Sequence, residues 1–265
     1  MLHRILYLII GLGTCLTPVL QGQITLGQWR THLPYKYCTL AEATNEQVFC
    51  STTGGLFYYK LDDNSVVKIS KIDGLSDNGV AAMRWNGELE ILIMAYENSN
   101  LDLIRDKVIV NIPDIMKKQI PGDKSIYDIY YREQEAYLST GFGIVVLNLE
   151  KDEISETYYI GDNGEALKVN KVSSDGTYLY AATDEGIRRG LISDPFLVDF
   201  NAWELVTDIP NANGAFSGIA FFAESLYASF EDPSGNQDVI YYNSGNGWNT
   251  YPYFTGKACR ELLNQ

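Results

Sequence analysis

Short runs in which Tyr, Val, Ile and Phe alternate with polar residues follow one another along the chain, parted by glycine and by Asn-Gly and Asp-Gly pairs. Alternation of this kind predicts half-buried strands, because successive strand side chains point to opposite faces. Asn163-Gly164 and Asp175-Gly176 predict tight hairpin turns, since glycine reaches positive φ at no steric cost. No long segment keeps a helical period. The one helical suggestion, Ile112 to Gln119, is short enough to be a turn within a loop.

The alternation is itself repeated. Val48-Phe-Cys-Ser-Thr-Thr-Gly-Gly-Leu-Phe-Tyr-Tyr59 has the order strand, small polar residues, glycine, strand. The same order returns at Ile91 to Ile104, at Ala136 to Leu147 and at Tyr178 to Ile187, with a looser fifth copy from Ser225 to Tyr242. Gly55, Asn100, Gly143 and Gly186, each just before the second strand of its copy, recur at a spacing of about 43 residues. The fifth copy, aligned at Asp238, is displaced by the insertion Glu231 to Gln237, as insertions in repeat folds map to loops. Repeats of this length built from four short strands predict an all-β fold. The expected architecture is a β-propeller with four-stranded blades of about 43 residues, incomplete, with about five to six blades present. The strand that ends in Ser51-Thr52, Ser139-Thr140 and Ala182-Thr183 is expected beside the central channel, where crowding would favour small residues.

The ends and the charge narrow the setting. Met1 to Arg4 followed by an apolar run from Ile5 to Leu20, broken by Gly11, Gly13 and Pro18, reads as a secretory signal peptide over residues 1–22, leaving the N-terminal β-propeller at 23–265. The run is too short and too interrupted for a membrane span of about 20 apolar residues. Thr14 fits poorly before a lipidated cysteine at Cys15. A net charge of −14 repels phosphate backbones and argues against nucleic acid as a partner. Cys38, Cys50 and Cys259 remain after signal removal; a Cys38 to Cys50 bridge across a hairpin is one reading and a small buried thiol at Cys50 the other.

Asp73-Gly-Leu-Ser-Asp-Asn-Gly-Val80 with Ser51-Thr-Thr-Gly-Gly-Leu56 resembles the repeat of two-component regulator propellers. Gly27-Gln-Trp-Arg-Thr-His-Leu-Pro-Tyr35, joined to Tyr137 to Leu147 and to Thr157-Tyr-Tyr-Ile-Gly161, resembles the PorZ family, surface components of the type IX secretion system, over residues 24 to 265. The resemblance implies two consecutive propellers and a C-terminal export domain, so the chain reads as a fragment or truncated product whose open edge is a liability unless Ile24 to Leu33 or another molecule covers it. It also implies partnership with a PorU-like sortase, with PorV and PorQ, and engagement of anionic lipopolysaccharide at the outer-membrane surface, with no catalysis. The alternative, which the shared repeat permits, is a periplasmic ligand-sensing propeller of a hybrid two-component regulator.

No residue is assigned a catalytic, cofactor-binding or metal-binding role, and no cofactor is expected. A Ser-His-Asp triad would depend on His32, which lies far from any nucleophile elbow and reads better as a structural residue beside Trp29 and Arg30. A propeller lyase or glycosidase would gather acids at a channel mouth, and Asp102, Asp184 and Glu185 fall near blade turns. Among 34 acidic residues these read as solvated turn acids. Asp232 to Asp238 alternates oxygen-bearing side chains like the start of a calcium loop, but its glycine is misplaced and a hairpin turn is the plainer reading. Lys117-Lys118 and Arg188-Arg189 are the two basic pairs that could meet an anionic glycan, against solvated turns as the alternative.

Overall fold

The computed structural model describes residues 33–233, 238–254 and 262, and these form five four-stranded antiparallel sheets. Blade 1 is β1 (Leu40–Ala43), β2 (Gln47–Thr52), β3 (Gly55–Lys60) and β4 (Val66–Ile69); blade 2 is β5 (Val80–Asn86), β6 (Ile91–Tyr96), β7 (Leu101–Arg105) and β8 (Val108–Ile112). Blade 3 holds β9 (Ile126–Arg132), β10 (Glu135–Thr140), β11 (Gly143–Asn148) and β12 (Glu153–Tyr158). Blade 4 holds β13 (Val169–Ser174), β14 (Tyr178–Thr183), β15 (Gly186–Leu191) and β16 (Trp203–Leu205). Blade 5 holds β17 (Phe216–Phe222), β18 (Ser225–Phe230), β19 (Val239–Asn243) and β20 (Trp248–Thr250). The helical suggestion is a single turn, α1 (Asp114–Lys117), in the loop between blades 2 and 3.

Four apolar cores join consecutive blades. Phe49 and Leu56 of blade 1 meet Met83, Leu92 and Met94 of blade 2. Ile91, Ile93 and Leu103 on the other face of blade 2 meet Ala136, Leu138 and Val145 of blade 3. Tyr137, Ile144 and Val146 then pack against Val172, Leu179 and Trp203 of blade 4, and Tyr180 and Ile187 against Phe216, Leu226 and Phe230 of blade 5. A blade between two others therefore buries both faces, which is why β6 and β10 read as nearly unbroken buried runs. Each large apolar side chain so buried contributes about 1.5–3 kcal/mol.

The repeated glycine has a steric cause. In blade 3, Gly143 stands at φ 145°, and a Cβ there would lie 2.1 Å from the carbonyl oxygen of Tyr158. The residue that opens the turn is threonine: Thr140 Oγ1 donates to the Gly143 carbonyl at 2.8 Å and accepts from the Phe142 amide. Thr52 with Gly55 and Thr183 with Gly186 repeat the arrangement. Small residues here thus close a turn on the second strand of blades 1, 3 and 4. They do not line the channel as expected from the sequence, because the first strands, β1, β5, β9, β13 and β17, pack against one another at the centre and take the innermost place.

Residues 1–32 lie outside the described residues, so the signal peptide, Cys15, Trp29, Arg30, His32 and the covering role given to Ile24 to Leu33 find no structural account. Cys259 and positions 234–237 of the calcium-like turn lie outside as well.

Candidate functional site

The innermost strands shape a central channel by breaking register at one place. In β5 the pairing jumps from Val80 to Ala82, in β9 from Ile126 to Asp128, in β13 from Val169 to Lys171 and in β17 from Phe216 to Gly218. A bulge adds one unpaired residue and re-aims its side chain. The four extra residues, Ala81, Tyr127, Asn170 and Ser217, all line the same channel, a space of about 860 Å³. Asn170 Nδ2 donates to Asp184 at 2.8 Å and to the Phe216 carbonyl at 2.9 Å, tying blade 4 to blade 5. Tyr127 donates its hydroxyl to Asp123, and Lys168 Nζ stands 4.8 Å from the centre of the Tyr127 ring. The hydrogen bond from Tyr127 holds the Asp123 carboxyl below its ordinary range, and burial, followed by the bond to Asp123, pushes the Tyr127 phenol up to about 12.

Beside the bulges the wall carries charge of alternating sign. Glu42 of β1 faces Arg84 of β5 at 3.4 Å, Arg84 meets Asp128 of β9 at 2.9 Å, and Asp128 meets Lys171 of β13 at 3.6 Å. Asp128 and Lys171 retain only 10% and 6% of their side-chain exposure, so these contacts lie where water screens little. Two acids and two bases on four successive blades neutralise one another. Their charges are directed at each other, and among the described residues the wall has no excess of one sign with which to draw a charged ligand inward.

The acids singled out in the sequence separate. Asp102 is fully buried, not solvated: its carboxylate accepts from the Ser76 amide at 2.8 Å, from the Tyr96 hydroxyl at 2.6 Å and from Asn111 Nδ2 at 3.1 Å. Burial and then this carboxylate raise the Tyr96 phenol above its ordinary value. Asp102 thereby binds the Gly-Leu-Ser segment before blade 2 to the blade itself. Asp184 and Glu185 sit exposed on the blade 4 turn, as read from sequence. Asp232 and Asp238 flank residues outside the description, and both have partners. Among the described residues no group of three or more His, Cys, Asp and Glu could hold a metal ion.

The two basic pairs also part company. Arg188 and Arg189 are neighbours on a strand and so face opposite ways. Arg188 is buried and reaches Asp162 at 2.8 Å, while Arg189 pairs with Glu204 at 2.7 Å over the Tyr178 ring. Neither is a solvated turn residue. Lys117 and Lys118 are exposed at the end of α1, on the rim of a cleft of about 520 Å³ between blades 2 and 3 whose floor is Ile115, Phe142, Val145 and Ile154. Lys124 Nζ donates to the Ile115, Met116 and Lys118 carbonyls and so fixes this turn from below. Sequence reasoning missed an aromatic cluster on blade 5: Tyr227 stacks on its cross-strand partner Tyr242, and Tyr251 meets both edge-on and leads to the exposed Tyr253. The strand alternation placed Tyr227 and Tyr242 on faces but not opposite one another.

Among the described residues no helix is long and apolar enough to cross a membrane. The chain has no significant match among curated protein sequences. Among solved structures it is similar to PorZ, described as an essential bacterial surface component of the type IX secretion system of Porphyromonas gingivalis, with a TM-score of 0.69 and 22% identity over 79% of this chain and 27% of that one. The chain thus spans little more than a quarter of that protein. The extracellular domain of the hybrid two-component system BT4673 from B. thetaiotaomicron aligns over 83% of this chain and 29% of its own, at TM-score 0.57 and 14% identity. The WD40 domain of Toxoplasma gondii coronin aligns over 82% of this chain and 59% of its own, at 0.56 and 11%. At such identities these likenesses speak for the propeller fold. The family model of the PorZ N-terminal β-propeller domain matches residues 48–204, blade 1 to blade 4 and more than half of the sequence, and the chain belongs to that family.

Proposed function

We propose that this chain is a non-catalytic binding and scaffold propeller of the type IX secretion attachment complex. It assists cargo processing by a PorU-like sortase and cargo attachment to anionic lipopolysaccharide at the outer-membrane surface. Family membership supports the setting, and the signal-peptide pattern of residues 1–22 supports export. The observation that carries the binding role is the channel wall, where Glu42, Arg84, Asp128 and Lys171 are engaged with one another, leaving recognition to the blade rims. On the rim, Lys117 and Lys118 above an apolar cleft offer cations to an anionic glycan in an otherwise acidic chain.

The test is a pull-down of the purified chain against outer-membrane extract of its source, read for both attachment-complex proteins and anionic lipopolysaccharide. Recovery of either, lost at high salt for the glycan, is the expected result. A second reading, a ligand-sensing propeller, draws on the Gly-Leu-Ser repeat and on the fold shared with the BT4673 extracellular domain. An empty pull-down together with a thermal shift on adding small soluble glycans would favour it over the first.

A further inference from the structure

The outer face of blade 1, turned away from blade 2, carries the residues that alternate with its core side chains. Phe49, Leu56 and Tyr58 face blade 2, so Cys50, Phe57 and Lys68, paired in register across β2, β3 and β4, face the other way. The chain that enters β1 crosses this same face. The Tyr35 ring meets Phe57 edge-on at 6.4 Å, and Lys68 Nζ lies 4.9 Å from its centre. Thr39 then joins β2 by donating its amide to the Ser51 carbonyl at 2.9 Å and by a 2.7 Å contact between the two hydroxyls. Between Tyr35 and Thr39 stands Cys38, exposed, its sulfur donating to the Leu40 carbonyl at 3.0 Å. Cys50, half-buried opposite Ala41 and paired across the strands with Phe57, lies on the same face that the segment carrying Cys38 crosses. Both are free thiols in this structure.

We propose that Cys38 and Cys50 form a disulfide that pins the segment from Tyr35 to Thr39 across the outer face of blade 1. The oxidant is a disulfide, either a small molecule or a dithiol oxidoreductase in its oxidised form. The exposed Cys38 attacks it as the thiolate and releases one thiol. Cys50 then displaces the second thiol from the mixed disulfide. The two cysteines together lose two protons and two electrons, and the oxidant gains both as two thiols. Burial, with the neighbouring Cys38 sulfur adding to it, pushes the Cys50 thiol up to about 12, which leaves the first attack to the exposed Cys38. Closing a short loop in the unfolded chain, the bond stabilises blade 1, which among the described residues packs on a neighbouring blade through its inner face alone.

The experiment uses the full chain, purified reduced, incubated folded with glutathione disulfide, blocked with N-ethylmaleimide, digested without reductant and read by mass spectrometry. The expected result is one cross-linked species joining the Cys38 peptide to the Cys50 peptide, with the melting temperature falling by roughly 6–12 °C when dithiothreitol is added. In Cys38→Ser, whose changed side chain is exposed, the cross-link and the dithiothreitol dependence both disappear. Maleimide or stable glutathione adducts on both cysteines of the folded chain, or a cross-link from either to Cys15 or Cys259, would overturn the proposal. So would a melting temperature of the cross-linked wild type unchanged by reductant.

Discussion

The channel wall and the rim between blades 2 and 3 use charge in opposite ways. On the wall, Asp128 and Lys171 are buried, Glu42 and Arg84 are half-buried, and each is directed at a partner on a neighbouring blade. On the rim, Lys117 and Lys118 stand in solvent beside an apolar cleft. Buried pairs hold structure because either partner alone would be a costly unpaired charge, whereas exposed charge costs the fold little and remains available to a ligand. The difference supports the proposal that binding falls on what the fold leaves unpaired, away from the centre.

The largest break in that comparison is Asp128→Ala, which removes the carboxylate that Arg84 and Lys171 share on the wall. We expect a loss of about 3–5 kcal/mol in urea denaturation, and a loss below about 1 kcal/mol would show that the wall is effectively solvated. Next comes Asp102→Ala, which leaves the Ser76 amide, the Tyr96 hydroxyl and Asn111 without their shared acceptor. It should cost about 2–4 kcal/mol, and Asp102→Asn less, in the same measurement. Thr140→Val keeps shape and removes the two turn hydrogen bonds of the hydroxyl, for an expected loss of about 1–3 kcal/mol. The smallest effect on stability is on the rim: Lys117→Glu with Lys118→Glu should stay within about 0.5 kcal/mol of the parent. A larger loss there would mean that these lysines hold the fold.

How far the sequence carried depended on how local each cause was. The blade repeat was legible because its cause sits within one hairpin: a threonine that closes the turn and a glycine whose Cβ would strike the next strand's carbonyl. Blade 2 was still found with Asn100 in the glycine place, since its flanking strands kept their pattern. The wall was not legible. Which inner-strand residues face the channel is set by bulges at Ala81, Tyr127, Asn170 and Ser217, and a bulge is a property of pairing that a single strand does not announce. Asp102 was misread for a related reason. Its burial is decided by Tyr96, by an amide in the preceding loop and by Asn111 on the next strand. Arg188 and Arg189 looked like one basic pair, and alternation sent them to opposite faces with separate acidic partners.

The account's central claim is that recognition lies on the rim and not in the channel, and a binding comparison tests it most directly. Anionic lipopolysaccharide from the source's outer membrane would be titrated against the wild-type chain, against Lys117→Glu with Lys118→Glu, and against the channel variant Asp128→Asn, each checked as folded by circular dichroism. The account predicts a loss of about tenfold or more for the rim variant and wild-type affinity for the channel variant. Retained binding by the rim variant with loss in the channel variant would contradict it.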